Sequence, residues 1–168
     1  MNDLEFLSTV SQLTGLDPSE LEAIREEIIT RQFGAGEVIL EEGTVNQSFH
    51  VIREGRARVE RKIDGRDVAL CDLVAGQTFG ELSILGDGLV TATVRAVTPV
   101  AALALSSASL ELVLRGSPRA AAKFWQAVAT DLRDRLVQTN EVVRNYVEVN
   151  RALVENPAFR EAYALCNR

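Results

Sequence analysis

Residues 32–105 hold six short β-prone runs, at 38–40, 49–52, 57–63, 68–73, 90–94 and 100–105, with Gly, Asp and Asn punctuating the intervals. Regular short strands with turns between them predict an antiparallel sandwich or barrel. Asp64-Gly65 separates two alternating runs. That dipeptide predicts a two-residue hairpin turn, which requires positive φ at both central positions. The rest of the chain has a different period, so helices are expected on both sides of a β-rich middle.

Ahead of the strands, Leu4, Leu7, Val10 and Leu13 form a helical stripe. A second helix start follows at once. Asp17 can cap, Pro18 suits the first helical position, and Glu20 completes a capping box. Leu16 and Leu21 stand where a hydrophobic staple would put them, and Leu21, Ile24 and Ile28 make one apolar face. Gly34 and Gly36 stop any continuation. Residues 1–31 are therefore read as a helical lead-in and residues 32–106 as the barrel.

Beyond the barrel, Ser106 and Ser109 can cap a short helix that Gly116 ends, and Ser117-Pro118 starts another. Nothing interrupts that second helix before Asn156-Pro157. Trp125, Val128, Leu132, Leu136, Val143 and Val147 recur at steps of three, four and once seven, whereas Arg133, Asp134, Arg144 and Glu148 fall elsewhere on the wheel. About 37 helical residues reach roughly 55 Å, more than one small barrel needs. The far half of this helix needs a partner. Residues 107–155 are read as hinge and long helix, and 156–168 as a short amphipathic tail.

The segment 79–96 reads FGELSILGDGLVTATVRA. Gly80-Glu81-Leu82 can open one short helical turn, whose first N–H groups lack internal partners and suit an anion such as phosphate. This segment resembles the phosphate-binding cassette of cyclic-nucleotide-binding domains, found in bacterial transcription regulators, kinase regulatory subunits and gated channels. That cassette reads approximately F-G-E-L-A-L-x-x-x-x-P-R-A-A-T-V-R-A. Further pieces, AGEVILEEG, VIREGRARV and AGQTFGE, place Gly36, Gly43, Gly55 and Gly76 where the family has glycines. The resemblance covers residues 4–136. It implies a mainly β fold with flanking helices, a double-stranded β-helix (jelly-roll) barrel with N-terminal helices and a long C-terminal helix. It also implies a homodimer formed along that helix, and a DNA-binding domain that the residues after 156 are too few to supply.

The same resemblance assigns a ligand site to Gly80, Glu81, Leu82, Thr91 and Ala92. Glu81 matches the glutamate that accepts from the ribose 2′-hydroxyl, or else it pairs with local backbone and shapes the turn. The middle of the cassette departs from the pattern. The family's proline falls on Leu89, and its phosphate-pairing arginine falls on Val90. Without that arginine, weak or absent binding of cyclic AMP or cyclic GMP is expected, unless Arg53, Arg56 or Arg58 reaches in. Arg95 is read as a solvated strand residue.

Composition excludes several other classes. Acidic residues outnumber basic ones 24 to 18, giving −6 overall, which argues against a nucleic-acid surface. One histidine, His50, cannot build the multi-histidine metal site of a cupin enzyme, and a packed ring is the plainer reading. Cys71 and Cys166 form no metal-spacing motif, and no apolar run approaches ~20 residues, so a cytoplasmic, membrane-free protein is expected. No nucleophile–base pair is present, so no catalytic residue is named. The expected role is a non-enzymatic regulatory module that acts through dimerisation and an unidentified protein partner, without a cofactor. The alternative is a stand-alone sensor that takes a cyclic nucleotide or another small anion in a remodelled cassette.

Overall fold

The computed structural model describes residues 2–166; Met1 and the last two residues of the predicted tail, Asn167 and Arg168, lie outside. The helices are α1 (Asp3–Thr9), α2 (Pro18–Glu27), α3 (Glu81–Leu85), α4 (Ser107–Gly116), α5 (Pro118–Glu155) and α6 (Pro157–Cys166). The strands are β1 (Ile29–Phe33), β2 (Val38–Leu40), β3 (Ser48–Glu54), β4 (Arg56–Ile63), β5 (Arg66–Val74), β6 (Thr78–Phe79), β7 (Thr93–Ala96) and β8 (Val100–Ser106). Two four-stranded antiparallel sheets form, ordered β1-β8-β3-β6 and β2-β7-β4-β5. This is the expected jelly-roll, mainly β with flanking helices. Two compact units are present, one ending at Leu132 and the other beginning at Arg133.

Side-chain alternation explains the layering. In β3 and β8, Ile52, Val100 and Ala102 point between the sheets and join Ala57, Leu73, Phe79, Val94 and Ala96. Phe49, Val51, Leu103 and Leu105 point the other way, onto Phe6, Leu7, Ile24, Leu110 and Phe124 of the helices. Both faces of these strands are covered, so they read as nearly unbroken apolar runs. The hairpin turn has φ of +50° at Asp64 and +78° at Gly65, and Ile63 pairs with Arg66. At the head of α2, the Asp17 carboxylate accepts from the Ser19 and Glu20 N–H groups and Glu20 reaches back to the Asp17 N–H.

Three local expectations need correction. The first sheet begins at Ile29, ahead of residue 32, because ITRQF pairs with β8 from Ile29↔Ala104 to Phe33↔Val100. α2 therefore ends at Glu27, well before Gly34. The run 90–94 is strand only from Thr93. Val90 instead bonds the loop before β3, its N–H donating to the Thr44 carbonyl (2.9 Å) and its own carbonyl accepting from Gly43 (2.8 Å).

The largest correction concerns α5. Ala120, Phe124 and Val128 lie one turn apart and are buried in the chain's own core, with Phe124 edge-on to Phe49 at 5.5 Å. Val128, 2% exposed, is unavailable to a second subunit, and Leu132 packs partly against the same core. Trp125 meets Phe124 edge-on at 4.9 Å. Of the predicted seam, Leu136, Val143 and Val147 stand open, at 60%, 55% and 58% exposure, and Trp125 is partly open at 37%. The first turns of the helix cover the barrel, which the spacing alone did not distinguish from a subunit interface.

In the second unit, Asn156 caps α6 through the Phe159 N–H (3.2 Å). The Arg160 guanidinium donates to the carbonyls of Leu153 and Val154 at the end of α5 (2.9 and 3.3 Å). Donors aimed at the last carbonyls of a helix satisfy groups that otherwise lack partners.

Candidate ligand cassette and adjoining groove

Gly80 is the geometric origin of the cassette. It caps α3 at φ +85°, and a Cβ added there would sit 2.7 Å from the Ser48 carbonyl oxygen and 2.8 Å from Asn46 Nδ2. A side chain is thus excluded both by conformation and by space. Asn46 is the latch. Its Nδ2 donates to the Ser48 carbonyl (2.8 Å) and at 3.5 Å to Gly80, while its backbone N–H donates to Gly88 at the far end of the loop (2.8 Å). The next residue, Gln47, accepts from the first N–H of α4, that of Ser107 (2.8 Å). One loop therefore grips both flanks of α3 and the start of the helix after the barrel. Sequence reading passed over Asn46 as turn punctuation.

Glu81 follows at the first position of α3 and is 3% exposed; Leu82 is 42% exposed. The Val90 side chain is buried at 5% exposure, while Leu89 beside it is 42% exposed and bridges to Val45. Thr91 is exposed and Ala92 half-buried. No cation replaces the missing arginine from the positions considered. Arg53 pairs with Asp3 and lies over the Phe6 ring, and Arg56 and Arg58 both engage Asp72. Arg95 is no solvated strand residue. Its guanidinium binds the Glu60 carboxylate (2.6 Å), 8% exposed, and the Gly36 carbonyl (3.1 Å).

His50 sits on β3 beneath Gly80 and is 5% exposed. Burial pushes its imidazole down to about 4, the Ser48 backbone pulls the other way, and Arg31 adds a smaller repulsion. At neutral pH it is an uncharged, packed ring. Among the described residues, no group of three or more His, Cys, Asp or Glu could hold a metal ion. No helix of those residues is long and apolar enough to cross a membrane.

A cavity of about 620 Å³ is bounded by residues 83–88 of the cassette, and neither Glu81 nor Val90 lines it. Its apolar floor comes from Ile84, Leu110, Leu114 and Trp125; Asp87 and Glu111 also line it. Sequence reading had no signal for it, because α3, α4 and α5 meet there only in the fold.

Comparison with known proteins gives a consistent family. The cyclic nucleotide-binding domain matches residues 30–117. A CRP-like cAMP-activated global transcriptional regulator of Mycobacterium tuberculosis is 25% identical over 130 residues, covering 77% of this chain and 58% of that protein. A cAMP-dependent protein kinase regulatory subunit of Emericella nidulans is 36% identical over 95 residues, 56% of this chain and 23% of that one. The chain thus spans less than two thirds of the curated relatives it matches. The crystal structure of the N-terminal domain of a transcriptional regulator from Streptomyces coelicolor A3(2) superposes with a TM-score of 0.65 at 29% identity, covering 82% of this chain and 94% of that one.

Proposed function

The chain belongs to the cyclic nucleotide-binding domain family, and we propose that it is a non-enzymatic regulatory module that binds cyclic AMP or cyclic GMP weakly or not at all. Val90 carries this reading. A buried valine stands where the family pattern has the arginine that pairs with the cyclic phosphate, and Arg53, Arg56 and Arg58 are engaged elsewhere. A hydrogen bond to a charged group contributes about 1.5–3 kcal/mol, more when bidentate, so its loss weakens binding at least about tenfold and up to roughly a thousandfold. The relatives named above are regulators, which supports a regulatory role without chemistry on a substrate. The module would act by self-association through Leu136, Val143 and Val147 of α5, and by contact with another protein; the net charge of −6 favours a protein over a nucleic acid.

The alternative reading is a sensor for a cyclic nucleotide or another small anion. Gly80 with its positive φ, and Glu81 buried at the first position of α3, favour it. Leu82, Thr91 and Ala92 would complete that site. Calorimetric titration of nucleotide-stripped protein with cyclic AMP and cyclic GMP decides between the two. Submicromolar affinity for either overturns the first reading, and no heat up to about millimolar ligand excludes both cyclic nucleotides as the ligand of the second.

A further inference from the structure

Leu89, which stands where the family pattern has proline, adds to an apolar outer surface on the cassette. Val90 turns inward, but Leu89 turns outward and meets Val45 across an isolated bridge; they are 42% and 67% exposed. Leu82 and Leu85, one turn apart on α3, are 42% and 52% exposed. Leu85 also lines the 620 Å³ groove, with Trp125, itself 37% exposed, on another wall. Single exposed leucines are ordinary, but a run of them continuous with an apolar groove marks a contact surface.

The groove also constrains what fits it. Its walls are α3, α4 and α5 together with the Asn46-Gln47 loop, and no strand edge opens onto it. An extended peptide therefore finds no ladder to join, whereas a helix laying an apolar face into a groove does. Its charged residues are Asp87, Glu111 and Arg115, two carboxylates against one guanidinium, and Arg115 is already held by Glu111 at 2.7 Å. The rim is left negative.

We propose that this groove, with the adjoining face of the cassette, docks an amphipathic helix of a partner protein, one that carries lysine or arginine beside its apolar stripe. This rests on the reading above that the chain works through protein contacts. The partner's apolar residues at i, i+3 or i+4, and i+7 would cover Leu85, Leu110 and Trp125, and its cation would face Asp87.

Trp125 is the sole tryptophan, so its emission reports the groove directly. The probes are two synthetic amphipathic helices with the same leucine stripe, one flanked by lysines and one by glutamates. The lysine peptide should shift Trp125 emission to the blue saturably at up to about millimolar peptide, and the glutamate peptide should not. Leu85→Ser should abolish the shift. Asp87→Asn should weaken it by roughly two- to fivefold, the range for a rim charge. Both positions are exposed, so each variant should keep the parent melting temperature, which verifies folding. Equal response to both peptides, no saturable response, or an unchanged response in Leu85→Ser overturns the proposal. So does a blue shift that follows chain concentration alone, which would make a second copy the occupant. Nucleotide calorimetry tests the weak-binding part of that reading separately, since nucleotide binding and its absence both leave these peptide outcomes open.

Discussion

The His50 imidazole lies flat on the Phe79 ring, centroids 4.8 Å apart and planes 11° from parallel. The pair spans neighbouring strands β3 and β6, and Phe79 is the first residue of the cassette. An unfolded imidazole titrates near 6.5, whereas the folded one is pushed down to about 4. Within that window the unfolded chain binds a proton that the folded chain refuses, so stability falls as pH falls from about 6.5 to 4. The loss is about 1.4 kcal/mol per pH unit at most, or about 3 kcal/mol in all. His50→Phe keeps a ring on Phe79 and removes the proton site. Urea unfolding at pH 7 and 4.5 should show a smaller acid loss in the variant than in the parent; equal losses would show that other groups carry the effect.

Arg95 and Arg58 face each other on β7 and β4, yet their removal should differ sharply. Arg95→Ala leaves the Glu60 carboxylate, 8% exposed, without its guanidinium, a loss of roughly 2–4 kcal/mol after allowing for the partial exposure of Arg95. Arg58→Ala loosens a solvent-exposed pair with Asp72, and water screens such a pair, so little stability should be lost. Chemical denaturation of both variants measures the contrast. Equal effects would mean that water already screens Glu60.

Two valines on α5 should report on different processes. Val128→Ala opens the buried helical core and should lower unfolding stability by about 2 kcal/mol. Val143→Ser together with Val147→Ser, both on an exposed face, should leave the unfolding of the β-rich unit unchanged and weaken self-association in sedimentation equilibrium. Unaltered association would remove this face as the dimer seam.

Val90→Arg should lower the melting temperature of the free protein, because a charged side chain replaces one that is 5% exposed. Cyclic AMP should restore part of that loss and bind at least about tenfold more tightly than to the parent. A variant that is destabilised without gaining affinity would show that Gly80, Glu81 and Thr91 no longer form a site for a cyclic nucleotide.

Much of this fold was legible because its signals are local. The capping box at Asp17 and Glu20, the Asp64-Gly65 hairpin and the Ser106 cap of α4 are each settled by a few adjacent residues. β1 was missed at its start for a related reason. ITRQF lies at a sheet edge, exposed at four of its five positions, so it shows no alternation to read. The fate of Val128 was illegible because helical spacing identifies an apolar face without naming what covers it. At the candidate site, the loss of the arginine was plain from the sequence. The Glu60–Arg95 pair was not, since the β4–β7 register joins residues 35 apart in the chain.

Val90 holds the loop before β3 with its main chain, through the carbonyl of Thr44 and the N–H of Gly43. Every amino acid except proline can make both of those bonds. The outline of the cassette is thus indifferent to what its side chains recognise, and a lineage can recast the lining of this mould while the mould itself keeps its shape.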